Sequence, residues 1–200
     1  MIKCDVKLCA VISRAAVVKE SKDGGSFLSF SVKLPLSGRD GSAKELEISV
    51  SADGDKSKAS VYAQGRRLSI AGTLSLRKKD GRVFYNLRAS SAEITNSKNP
   101  DSIEGTMEFQ GKVGTKGIEE RQDKNGKTFK TFSAFSTDKD GDKAEFIWVR
   151  FLYFDPKEGE DFLATGKYIN IKGALQLSVY RDEVNLDCRV SEVSEWVLDK

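Results

Sequence analysis

The sequence contains no histidine and only three cysteines, Cys4, Cys9 and Cys188, no pair of which has the two-residue spacing of a metal knuckle or redox motif. Their odd number and wide scatter argue against a zinc site, a thioredoxin-type motif and a disulfide framework. They argue for a reducing interior in which the thiols serve as small core residues. No apolar run approaches the roughly 20 residues of a membrane-spanning helix, and the N-terminus lacks the long apolar core of a signal peptide. The expectation is an intracellular, cytoplasmic protein with no membrane partner. Catalysis has little to work with. There is no clustered set of metal ligands, no Gly-rich phosphate loop opening a helix, and no Ser or Cys beside a plausible base, while Asp and Glu are scattered over turns. A protein that is not an enzyme, and that needs neither metal nor cofactor, is expected.

What the chain does have is charge and alternation. Its 200 residues make one or two domains at roughly 100 to 200 residues each. A hydrophobic fraction of 38% beside 32% charged residues suits small barrels with much surface better than one large core. The net charge of +3 is unevenly spread: residues 1–100 carry 18 Lys/Arg against 10 Asp/Glu, which is +8, and residues 101–200 carry 15 against 20, which is −5. The two halves are electrically different objects.

The stretch Glu145 to Phe154, EFIWVRFLYF, is rich enough in aromatic and β-branched residues to read as a strand. Alternation puts Phe146, Trp148, Arg150, Leu152 and Phe154 on one face and Ile147, Val149, Phe151 and Tyr153 on the other. Both faces are apolar, so the second is either covered by protein or offered to a ligand that accepts flat apolar surface. Arg150 between Trp148 and Phe154 favours the ligand, because a cation flanked by rings is how proteins hold single-stranded nucleic acid. The competing reading is a central sandwich strand with Arg150 paired to a carboxylate.

Other strands read from Ile2 to Lys19, through FLSFSVKLPL, ELEISVS, RLSIAGTLSL and RVFYNLRASSAEI, with turns at KDGG (Lys22 to Gly25), GRDG (Gly38 to Gly41) and the basic segment Arg77 to Arg82. The polar segment SADGDKSKASVYAQGRR holds a short helix or only a loop, and Thr95 to Ser102 reads as a linker. After it the pattern returns. KDGGSFLSFSV from Lys22 matches KNGKTFKTFSA from Lys124, GRRLSIAGTLSL from Gly65 matches GKYINIKGALQL from Gly166, and YNLRASSAEI from Tyr85 matches VNLDCRVSEV from Val184. This is an internal duplication. Each copy has five strands, with its helix-or-loop connection between the third and fourth; in the second copy that connection is PKEGEDFLATG, with Phe162 and Leu163 placed to plug a barrel end. That is the layout of an OB-fold, and Gly72 and Gly173, inside matched apolar strands, sit where a small barrel must bend. The fold expected is all-β: two tandem five-stranded OB-fold barrels, one over residues 1–97 and one over 103–200.

In the second copy, GTMEFQGKVG, EERQDKNGKTFKTFSAFST, AEFIWVRFLYF and EDFLATGKYINIKGALQL resemble the bacterial and phage-type single-stranded DNA-binding protein family, here in a tandem form. The similarity spans nearly all of residues 103–196 and reaches the first half only through the repeat. The resemblance implies that Trp148, Phe154 and Tyr180 stack on bases, that Arg150 meets phosphate, and that Arg181 lies beside Tyr180. The family's acidic-tipped tail, which recruits other enzymes, has no counterpart in a sequence ending SEWVLDK, so recruitment by that route is not expected. Since the typical family chain has one barrel and forms tetramers, a homodimer of this chain, or a monomer, is expected to suffice.

Matched against the second copy, the first places Ile48 opposite Trp148, Gly54 opposite Phe154 and Lys79 opposite Tyr180, so its stacking platform is gone. Arg77, Lys78, Lys79 and Arg82 remain on a hairpin that in OB-folds overhangs the binding face, where they hold phosphates by charge. Phe135 is a further candidate for the binding face, and either Phe84 or Tyr85 is a ring for the first barrel. The function expected is sequence-tolerant binding of single-stranded DNA in replication, recombination or repair. The alternatives are RNA, or a protein-interaction module using the same aromatic face.

Overall fold

The computed structural model describes residues 1–38, 40–140, 143–157 and 159–197; residue 39 of the expected GRDG turn, residue 158 of the PKEGEDFLATG connection and the last three residues of SEWVLDK lie outside that set. Among the described residues, alternation of apolar and polar side chains resolves into ten strands and one helical turn. The first copy holds β1 (Ile2–Glu20), β2 (Ser26–Ser37), β3 (Ala43–Asp53), α1 (Lys56–Ala59), β4 (Arg67–Lys79) and β5 (Arg82–Ile94). The second holds β6 (Ser102–Gln122), β7 (Thr128–Asp140), β8 (Lys143–Tyr153), β9 (Tyr168–Tyr180) and β10 (Glu183–Glu195). Along β1 the period of two is plain: Ile2, Cys4, Val6, Leu8, Ala10 and Ile12 are buried while Lys3, Asp5 and Lys7 face water.

Each set of five strands closes on itself. β1 pairs with β2 and β4, β2 with β3, β3 with β5 in parallel, and β5 with β4. The second set repeats the circuit, with β8 and β10 as its parallel join. Five strands in this closed order form an OB-fold barrel, and the chain has two. The connections between third and fourth strands differ. The first is α1, one turn capped by Asp55, whose carboxylate accepts from the Ser57 amide at 2.9 Å. The second is a loop that buries Leu163 and packs Phe162 against the core, so the expected plug is present without a helix.

Matched bends occur where the glycines predict them. The β4–β5 ladder slips between Ala71 and Gly72, and the β9–β10 ladder slips just after the Gly173–Val190 pair. A methyl group on either glycine would come within 2.2 Å of a carbonyl on the neighbouring strand, Arg88 or Arg189.

The barrels are not beads on a string. β1 and β6 run antiparallel from the Ile2–Phe109 pair to the Cys9–Ser102 pair, so all ten strands belong to one continuous sheet. The segment expected as a linker is pinned, since the Arg67 side chain donates to the Asn99 carbonyl at 2.5 Å and forms an ion pair with Asp101. The three cysteines are free thiols; Cys4 and Cys188 are buried, and burial pushes both up to about 12. No helix among the described residues is long and apolar enough to cross a membrane.

Candidate nucleic-acid interface

Strand β8 presents its two faces as alternation requires. Ile147, Val149, Phe151 and Tyr153 are buried in the second barrel, while Phe146, Trp148 and Arg150 point outward, with the indole of Trp148 51% exposed. β7 lies alongside, and Phe135 pairs with Trp148 and Ser133 with Arg150, while Thr131, opposite Leu152, is buried. The Phe135 ring sits 5.0 Å from both the Phe146 and the Trp148 rings, so three aromatic side chains form one contiguous outer patch. Gly114 on β6 lets the indole lie across the sheet, because a methyl group there would approach its Cζ3 atom to 2.8 Å.

Arg150 is not a free cation. Its Nε donates to Asp187 Oδ1 at 2.9 Å and its Nη2 to Oδ2 at 2.7 Å, a two-pronged bond that the parallel β8–β10 register makes possible. Asp187 is only 3% exposed and also accepts from Ser178 Oγ at 3.1 Å. The guanidinium thus stands over a buried carboxylate, with no bond from its Nη1 among the described residues, and the competing expectation of a carboxylate partner is met together with an outward position.

A second ring pair lies further along the same wall. Phe154 stacks on Phe129 with centroids 4.8 Å apart, and the Arg189 guanidinium sits 4.8 Å from the Phe154 ring centre. Sequence reasoning missed Arg189, because it reaches this wall through a parallel pairing with Leu152 that no local pattern announces.

The ladders revise how the two copies correspond. In the first barrel Ser31 pairs with Ser49 and Ser49 with Asn86, just as Ser133 pairs with Arg150 and Arg150 with Asp187 in the second. Glu47 therefore occupies the place of Trp148, and Asp53, opposite Phe27, the place of Phe154; the expected matches Ile48 and Gly54 are overturned. Ile48 is fully buried, one position out of phase with the wall. The shift by one arises because the copies were matched on apolar runs, whereas pairing counts every residue. The first barrel lacks counterparts of Trp148 and Phe154, though Phe27 holds the place of Phe129, and its wall also carries carboxylates: Glu45 in an ion pair with Lys33 and Glu47 with Arg14.

The basic hairpin between β4 and β5 meets the second barrel, through the β7–β8 hairpin. Arg77 Nη1 donates to Asp138 Oδ1 at 3.1 Å and the Lys78 amide to Asp138 Oδ2 at 2.9 Å. Lys78 Nζ reaches the Phe146 carbonyl at 3.1 Å, and the Gly81 amide reaches Glu145 at 3.2 Å. Lys79 and Arg82 are exposed on the same hairpin. Phe84, paired with Arg77, is 49% exposed while Tyr85 is buried, which decides between those two rings. The hairpin's cations therefore come to the edge of the second barrel's aromatic patch.

The reciprocal contact holds Tyr180 and Arg181. Their β9–β10 hairpin touches the β2–β3 hairpin of the first barrel, where Lys44 Nζ donates to the Asp182 carbonyl and the Arg181 amide to Asp40 at 3.4 Å. Tyr180 is 53% exposed with the Arg181 guanidinium 5.1 Å from its ring centre. Among the described residues it makes no ring contact with the Phe135, Phe146 and Trp148 patch.

No family profile matches the chain, and no curated protein does. Among solved structures it is similar to the wild-type single-stranded DNA binding protein from Thermus aquaticus, at 12% identity and a TM-score of 0.49 over 100% of this chain and 95% of that one. It is also similar to the small single-stranded DNA-binding protein from Streptomyces coelicolor, at 14% identity and a TM-score of 0.36 over 50% of this chain and 97% of the other. The Plasmodium falciparum protein solved in complex with single-stranded DNA is similar at 18% identity and a TM-score of 0.36, covering 52% of this chain and 100% of its own.

Proposed function

We propose that this chain binds single-stranded DNA with little regard to base sequence, and that it protects or organises such strands in the cytoplasm during replication, recombination or repair. The observation that carries this reading is the exposed patch of Phe135, Phe146 and Trp148 beside a fixed guanidinium. Every base has a π-face, so rings on an open sheet hold bases of any identity, while paired bases hide those faces. Trp148 supplies the principal stacking surface, Phe154 a second one, and Tyr180 an outlying one. Arg150, Arg181 and the hairpin cations Arg77, Lys78, Lys79 and Arg82 serve phosphates. In this reading the units 1–97 and 103–200 have unequal tasks. The second stacks bases, and the first lends its basic hairpin to the same patch instead of using its own wall. A homodimer would present two such patches.

The test is tryptophan fluorescence at low salt. Oligo-dT quenches Trp148, and Trp148→Ala weakens binding by about 1–3 kcal/mol, or about 5- to 150-fold. Unchanged affinity in that variant overturns the proposal. Competition among single-stranded DNA, RNA and duplex of equal length separates the DNA reading from the RNA one. A protein-interaction role for the aromatic face is weakened by the polar character of the hairpin contacts between barrels, which leave the indole exposed.

A further inference from the structure

We infer that the bound strand does not stop at the Trp148 patch but runs across the strands of the second barrel, over Lys112, to a second stacking station made by Tyr168 and Trp196. This extension rests on the single-strand-binding reading above and adds a site that neither the repeat nor the resemblance supplied.

The register places the residues in one row. Trp148 on β8 pairs with Phe135 on β7, Phe135 with Lys112 on β6, and Lys112 with Tyr168 on β9. Neighbours in such a row have Cα atoms about 4.5–5.5 Å apart, so the row is about 15 Å long and perpendicular to the strands. At its far end the Trp196 amide donates to the Tyr168 carbonyl at 3.0 Å, and the two rings meet edge to face with centroids 5.6 Å apart. Tyr168 keeps 36% of its surface exposed.

Lys112 is the link. Its Nζ lies 5.5 Å from the centre of the Tyr168 ring, and Phe135 stands on its other side. Among the described residues no carboxylate pairs with it, in contrast to Arg150 on Asp187 and Lys172 on Glu108. A cation with no counter-ion between two sets of rings fits a polyanion whose phosphates alternate with stackable bases. A peptide of mixed charge has no equal use for that alternation.

The sequence holds two tryptophans, so each end of the row carries its own reporter. Trp196→Phe leaves Trp148 as the sole indole, and Trp148→Phe leaves Trp196, with a ring retained at each site. Both variants are titrated with oligo-dT of about 20 nucleotides, longer than the roughly 4–16 nucleotides an OB-fold covers, while fluorescence anisotropy of labelled oligonucleotide confirms saturation. Quenching of both reporters is expected. Quenching of Trp148 with Trp196 unchanged overturns the extension and leaves the proposed function standing; no quenching of Trp148 removes both. Lys112→Gln is expected to lower the slope of log affinity against log salt by about 0.7, the loss of one phosphate contact on a single strand. An unchanged slope overturns the assignment of Lys112.

Discussion

At the scale of single residues, the wall of the second barrel is decided by which side chains a period of two sends outward. The run EFIWVRFLYF made that legible, since alternation alone separated Trp148 and Arg150 from the core set Ile147, Val149, Phe151 and Tyr153. What it left out was the carboxylate under Arg150. Asp187 is 37 residues away in sequence and arrives through a parallel ladder, which leaves no spacing rule to read. The pair has a measurable consequence. Removing the guanidinium strands a buried carboxylate, so Arg150→Gln should cost about 1–3 kcal/mol in urea unfolding, and adding Asp187→Asn should recover much of the loss. Non-additivity in that double-mutant cycle is the signature to look for.

Elements impose what residues alone do not. Each barrel sends the hairpin between its fourth and fifth strands onto the hairpin between the second and third strands of the other, so the Arg77–Arg82 turn lies against its neighbour. A turn rich in Lys and Arg announced itself in the sequence, but its destination did not, because two carboxylates on another barrel, Asp138 and Glu145, decide where it lies. Asp138→Ala should free the turn. Hydrogen exchange at the Lys78 amide is expected to speed up, while the Leu74 and Leu87 region, deep in the first barrel, keeps its protection. Equal exchange at Lys78 in both proteins would show that the carboxylate does not hold the hairpin. The one-residue error in matching Ile48 with Trp148, where the ladders put Glu47, also belongs at this scale: pairing partners, not apolar runs, fix which positions correspond.

For the molecule as a whole, the duplication and the strand content were visible in the sequence, but the seam between β1 and β6 was not, since a polar segment with a proline reads as a spacer whether or not strands pair beside it. The seam shares backbone bonds between barrels, so calorimetry should record one cooperative transition, with calorimetric and van't Hoff enthalpies in agreement. Two resolved transitions would mean that the seam opens first. Alkali should act on the whole fold. Cys4 and Cys188 move from ordinary thiol values of 9.0 to about 12, and Tyr85 from 10.0 to about 12, chiefly through burial. Their neutral forms are favoured in the folded state, so this share of the stability is complete below about pH 9 and drains away as pH climbs toward 12. A midpoint denaturant concentration that stays flat from pH 8 to pH 11 would contradict it. The chain that runs on from β5 into β6, joining the two barrels covalently beside that seam, also has a genetic reach. Where identical subunits gather, any substitution appears in every copy at once, and a change that helps one position can harm its symmetry mates. Two barrels written into a single reading frame escape that constraint, so one can carry Glu47 where its twin keeps Trp148.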